Sequence, residues 1–167
     1  MKTKRLTRIS MLTAVALTIF VVELQIPAPV PIPGVKLGLA NIVTVCAMFL
    51  FGPADTALIL AARILLGSFF SGRITSLFYS LAGGTLCYLI MLLLRRIVSE
   101  RQIWVCSILG AIAHNIGQIT MAILITRTPA LICYLPVLML SGIIAGAFTG
   151  LCAQFVVNRG VISEKSL

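Results

Sequence analysis

Acidic side chains are scarce in this chain, four Asp and Glu against thirteen Lys and Arg in 167 residues. It has no DDxxD cluster to seat a Mg-diphosphate, and no P-loop, HExxH or GxSxG signature occurs. Four carboxylates scattered along the sequence do not build a two-carboxylate or metal-dependent active site. Catalysis by this chain alone is therefore not expected, and no cofactor or metal is assigned to it. Charge of either sign is thin, 10% of residues, too little polar surface to clothe a water-soluble domain. The five cysteines, Cys46, Cys87, Cys106, Cys133 and Cys152, lie in apolar stretches with no CxxC pair and no histidine cluster nearby. They read as buried thiols rather than as a disulfide framework or a metal site.

What fills the chain instead is hydrocarbon: 60% hydrophobic residues and a mean hydropathy of +1.13. A spanning helix needs about 20 mostly apolar residues and cannot leave backbone groups unpaired in lipid. Six apolar runs stand out, at about 9–26, 37–51, 55–71, 75–94, 103–126 and 131–157. The expected fold is all-α, a polytopic membrane protein with six transmembrane helices in one integral domain over residues 1–167. The first run superficially resembles a signal peptide, but it is too long for a signal h-region and no small-x-small cleavage site follows. It reads as a retained first helix. Pro27-Ala28-Pro29-Val30-Pro31-Ile32-Pro33-Gly34 cannot be helical, because alternate prolines remove amide donors, so an exposed or re-entrant loop is expected. The second run then reaches only about 22 Å of a hydrocarbon core of ~30 Å, and loop structure must supplement it.

Orientation follows from the basic residues. With the amino terminus inside, Lys2, Lys4, Arg5, Arg8, Arg95, Arg96, Arg101, Arg159 and Lys165 fall on the inner side, while Lys36, Arg73 and Arg127 fall outside and Arg63 lies within a span. That bias places both termini in the cytoplasm and the protein in the inner membrane as a multi-pass chain. The net charge of +9 does not point to nucleic acid, because these groups are juxtamembrane and lack an aromatic-studded polar face. Anionic lipid headgroups account for them.

Small residues recur every fourth position as Ser10, Ala14 and Thr18 on the first helix, Ala57 and Ala61 on the third, and Gly142, Gly146 and Gly150 on the sixth. Such ridges let helices approach closely. Intramolecular packing is the ordinary use; the first helix, whose neighbouring residues are bulky and apolar, is the better candidate for docking another membrane subunit. Polar groups at membrane depth say more, since a central Arg costs roughly 2.5 to 3.5 kcal/mol on insertion scales and faces a partner or a watery cavity. Arg63 lies midway along the third run, with Glu23 and Asp55 the nearest acids by depth. His114 and Gln118 share a face of the fifth helix at i and i+4, with Asn115 beside them. Asn41 and Thr44 form a weaker patch on the second. Phe69, Phe70, Phe78, Tyr79 and Tyr134 suit stacking on a flat ring, although such residues commonly serve as interface anchors or core.

On Val35-Lys36-Leu37-Gly38-Leu39-Ala40-Asn41-Ile42-Val43-Thr44, Phe51-Gly52-Pro53, Arg63-Ile64-Leu65-Leu66-Gly67-Ser68-Phe69-Phe70-Ser71-Gly72, Ala113-His114-Asn115-Ile116-Gly117-Gln118 and Tyr134-Leu135-Pro136-Val137-Leu138, the chain resembles the Gx transporter family. That family is also labelled heptaprenyl diphosphate synthase component I. The layout is similar, more loosely, to the substrate-binding S-components of energy-coupling-factor transporters. This second resemblance implies a ligand near the outer face beneath loops 27–36, 71–74 and 127–130, and a first helix that contacts a transmembrane coupling subunit driven by a pair of ATPases. Ser10 and Thr18 depart from the alanine ladder expected there. Prenyl chain extension, which the synthase label implies, needs carboxylate-bound metal that this sequence does not offer.

The leading expectation is an S-component-like transport subunit that binds a small organic solute through Asn41, Arg63, His114, Asn115 and Gln118, with Ser10, Ala14 and Thr18 as partner-docking residues. The alternatives are a membrane subunit of a prenyl diphosphate or quinone-related enzyme whose catalysis comes from a partner, and a structural scaffold.

Overall fold

Six helices account for the architecture in the computed structural model, which describes residues 3–26, 36 and 38–159. They are α1 (Thr3–Glu23), α2 (Asn41–Leu50), α3 (Pro53–Ser71), α4 (Ile74–Leu94), α5 (Ile103–Thr126) and α6 (Leu135–Asn158), with short 3-10 turns at Glu100–Gln102 and Pro129–Tyr134. No strand occurs among the described residues. The proline-rich stretch expected as a loop, 27–34, lies outside them.

Five helical segments are long and apolar enough to cross a membrane. The exception is α2. At ten residues it rises about 15 Å, half a hydrocarbon core, and it is shorter than the expected 37–51 because Gly38 takes φ +80° and the chain turns through Leu39 and Ala40 before helix begins. Its end is as sharp. Gly52 sits at φ +91°, a conformation costly for residues with a Cβ, and Pro53 opens α3 at a position where its missing amide costs nothing. α1 starts six residues earlier than expected, since Lys4, Arg5 and Arg8 continue the helix. α6 starts later, at Leu135, behind the 3-10 turn.

A helix this short survives because it is enclosed. α2 touches each of the other five helices, and seven of its residues are buried, so side chains of its neighbours rather than lipid surround it. α1 and α3 run parallel: Arg5 donates to Asp55 from Nε at 2.7 Å and also from Nη2, Arg8 lies 4.5 Å from the Phe51 ring centroid, and Phe20 meets Gly67 farther along. α4 runs back, its Tyr88 hydroxyl donating to the Pro53 carbonyl at 3.2 Å, and α5 and α6 continue the alternation. Two ends result, which we call the Arg95 end and the Lys36 end.

The Arg95 half is apolar. Val45, Cys46, Met48, Cys87, Met91, Ile103, Cys106 and Ala153 form one cluster there. Cys133, expected to be buried, is exposed in the Pro129–Tyr134 turn.

Candidate functional site

At the other half the interior turns polar. Arg63 on α3 and His114 and Gln118 on α5 are each buried, at 5%, 4% and 1% exposure, and they line one small cavity with Phe20, Glu23, Lys36, Gly38 and Ser80. Its free space is about 10 Å³, roughly what one water needs. Asn41 stands at its edge: a methyl group on Gly38 would meet the Asn41 amide at 2.9 Å and the His114 ring at 3.4 Å.

Local sequence explains why these groups meet. One α-helical turn separates His114 from Gln118, so both face the interior while Ile116 points outward. α4 can approach this face because Gly83 lies opposite His114, where a Cβ would come within 2.9 Å of both Nδ1 and the carbonyl oxygen. Gly117 makes the same approach from the α5 side, against the backbone of Ala82 and Gly83. The turn before α2 is tied down by Glu23, whose carboxylate accepts the amides of Gly38 at 2.5 Å and Ala40 at 3.5 Å.

Lys36 closes the Lys36 end. Its ammonium donates to the Ser76 hydroxyl at 3.0 Å and lies 3.8 Å from the Phe20 ring centroid, and its backbone amide donates to Gln118 Oε1 at 3.4 Å. Burial pushes this ammonium down to about 8, with Glu23 acting against the fall and Arg63 adding to it.

Several polar atoms around the cavity have no hydrogen-bond partner: both amide atoms of Asn41 and Nε of Arg63. A buried polar atom left unpaired costs about 1–3 kcal/mol, so a cluster of them is out of place in a merely structural core.

Of the five residues singled out from sequence, Arg63, His114 and Gln118 line the cavity and Asn41 borders it. Asn115 does not join them. Its amide is turned to α6 and donates to the Leu138 carbonyl at 2.5 Å. Sequence reasoning left out of the site Glu23, Lys36, Phe20 and Ser80; Glu23 carried a signal, as one of four acids and the one nearest the Lys36 end. The aromatic residues divide: Tyr79 is buried, while Phe69, Phe70, Phe78 and Tyr134 are exposed on the outside, Phe69 by 84%. Larger grooves of about 330 and 350 Å³ follow the outer seam of α4 and α5, but their linings carry no ionisable group.

The Ser10, Ala14 and Thr18 stripe is exposed along its length, on the side of α1 opposite Ile9, Thr13, Ala16 and Phe20, which are buried. The α6 ridge is covered, its three glycines packed on α5.

The family model for heptaprenyl diphosphate synthase component I matches residues 12–156, a span that takes in the cavity and all six helices. The chain belongs to this family. No curated protein and no solved structure matches it. Within the component I family match fall Glu23, Lys36, Asn41, Arg63, His114 and Gln118, and also the exposed α1 stripe from Ala14 onward.

Proposed function

We propose that this component I family member is the solute-binding subunit of a membrane transport system, with Asn41, Arg63, His114 and Gln118 joined by Glu23 and Lys36 as its site. The observation that carries this reading is the set of unpartnered polar atoms on Asn41 and Arg63 around one cavity that His114 and Gln118 also line. A guest larger than the one water this volume holds supplies their missing partners by parting the side chains that line it. In this reading α2 belongs to a sixth crossing, the Arg95 end and both termini face the cytoplasm, and the site opens outward from the inner membrane, as the distribution of Lys and Arg favours. The exposed stripe Ser10, Ala14 and Thr18 is the face offered to a transmembrane coupling subunit and its ATPases.

Direct binding to the purified protein tests the site. Once mass spectrometry has identified the solute that travels with gently purified protein, Arg63→Ala and His114→Ala are expected to weaken its binding at least about tenfold, a loss of about 1.4 kcal/mol. Wild-type affinity in both variants refutes the assignment. The family's description also speaks of a synthase, and recovery of a soluble DDxxD partner, with prenyl synthase activity lost on deletion of this chain, favours a membrane subunit of that enzyme instead.

A further inference from the structure

The cavity's charges do not balance. Its one carboxylate, Glu23, has its oxygens engaged by the Gly38 and Ala40 amides. Two cations share the lining, Arg63 and Lys36. The ammonium of Lys36 rests on neutral groups, the Ser76 hydroxyl and the Phe20 ring. Arg63 is 5% exposed, and its Nε has no hydrogen-bond partner.

The other acids among the described residues belong to the Arg95 end. Asp55 is paired with Arg5 at the Arg95 end. Glu100 belongs to the turn between α4 and α5 at that same end, and Glu164 lies outside the described residues, beyond the end of α6. Among the described residues two positive charges therefore face one negative charge, with Arg63 and Glu23 both buried, and an uncompensated buried charge is strongly unfavourable.

We propose that the site takes a small organic monoanion of the carboxylate class, its charged group seated between Arg63 and Lys36 with His114 and Gln118 as neutral hydrogen-bonding partners. This deepens the solute-binding reading and rests on it. Charge count selects the class: a neutral guest leaves the excess in place, a cation enlarges it, and a phosphate monoester, carrying about −1.5 to −2 at pH 7, overshoots it beside Glu23. Geometry agrees, because a guanidinium presents paired donors that match the two oxygens of a carboxylate.

Thermal unfolding of the purified full chain in detergent, at constant ionic strength, tests the charge argument with defined probes. Acetate and benzoate are expected to raise the melting temperature of the wild-type protein by about 3 °C or more, and benzamide and choline are expected not to. Lys36→Met is expected to melt higher than wild type without any probe and to lose the response to carboxylates, whereas Glu23→Gln is expected to melt lower. Equal responses to benzoate and benzamide, or a Lys36→Met protein no more stable than wild type, overturn the proposal. Mass spectrometry of the co-purifying solute separates the two readings. A neutral or cationic solute, lost in Arg63→Ala but retained in Asn115→Ala, overturns the carboxylate class and leaves the binding site standing. The absence of both a solute and a carboxylate response overturns both.

Discussion

α5 presents two faces that use polar and small residues in opposite ways. Toward α6 these groups serve packing: Gly142, Gly146 and Gly150 leave no room for a methyl group over Asn115, Ile108 and Trp104, Ser107 and Thr149 share a hydrogen bond of 3.0 Å, and the Asn115 amide nitrogen holds the Leu138 carbonyl while its Oδ1 has no partner. Toward α3 and α4, His114 and Gln118 open on a cavity where polar atoms remain without partners. Both faces are buried and both look functional in sequence. The difference is whether leftover hydrogen-bonding capacity surrounds free space: Asn115 Oδ1 is left over on the first face, but only the second face gathers such atoms around a cavity.

Overpacking the filled face is the most damaging way to break this contrast. A Cβ on Gly146 would approach the Ile108 Cα to 2.8 Å, backbone that cannot step aside. Gly146→Leu is therefore expected to cost about 3 kcal/mol or more, read as lost monodispersity on gel filtration and early thermal unfolding in detergent. A wild-type melting temperature would show that the α5–α6 contact is looser than described.

Exchanging insults between the faces sharpens it. Gly83→Ala pushes on both the ring and the backbone carbonyl of His114 from α4 and is expected to weaken solute binding about tenfold, or 1.4 kcal/mol, while also lowering the melting temperature. Asn115→Ala spares binding. Interhelical side-chain hydrogen bonds in membrane proteins average about 0.6 kcal/mol, so this variant is expected to melt a little lower and bind the solute normally. If Asn115→Ala lost binding while Gly83→Ala did not, the roles of the two faces would be exchanged.

Lys36 supplies a smaller effect with a definite sign. Its folded value of about 8 lies below its ordinary 10.5, so the unfolded chain holds more protons between those limits and stability rises with pH across that window. The cost of the buried ammonium is fully present below pH 8. Melting temperature is expected to climb from pH 8 to 10 in the wild type, by more than in Lys36→Met; equal slopes would place Lys36 in open solvent.

Much of this arrangement was legible before any coordinates. Long apolar runs marked α3, α4 and α5 almost to the residue, because lipid rewards one pattern and tolerates no exceptions. Arg63, His114 and Gln118 announced themselves as polar groups at a depth where polarity is expensive. Asn115 carried the same signal, yet its amide is turned to α6, since spacing along a helix gives the neighbours of a side chain on its own helix and says nothing of which other helix it meets. Glu23 and Lys36 were harder still. They are distant in sequence and reach the site only because α1 lies parallel to α3 and the turn at Gly38 leads into α2 beside them. The exposure of Cys133 likewise depends on a 3-10 turn that hydropathy does not register.

The smallest effect on stability is expected on α1, where the contrast with α6 can be tested from the other side. Both helices carry a small residue every fourth position, yet the α6 ridge is covered by α5 and the Ser10, Ala14 and Thr18 stripe is exposed. Bulk added to an exposed helical face meets no neighbour within the chain, so Ala14→Phe is expected to change stability by less than about 0.5 kcal/mol. If this face docks a coupling subunit by close backbone approach, the same variant abolishes co-purification with that subunit and solute uptake while leaving solute binding intact. Unimpaired uptake in Ala14→Phe would mean that the stripe faces lipid alone, and that the resemblance between the two ridges ends with their spacing.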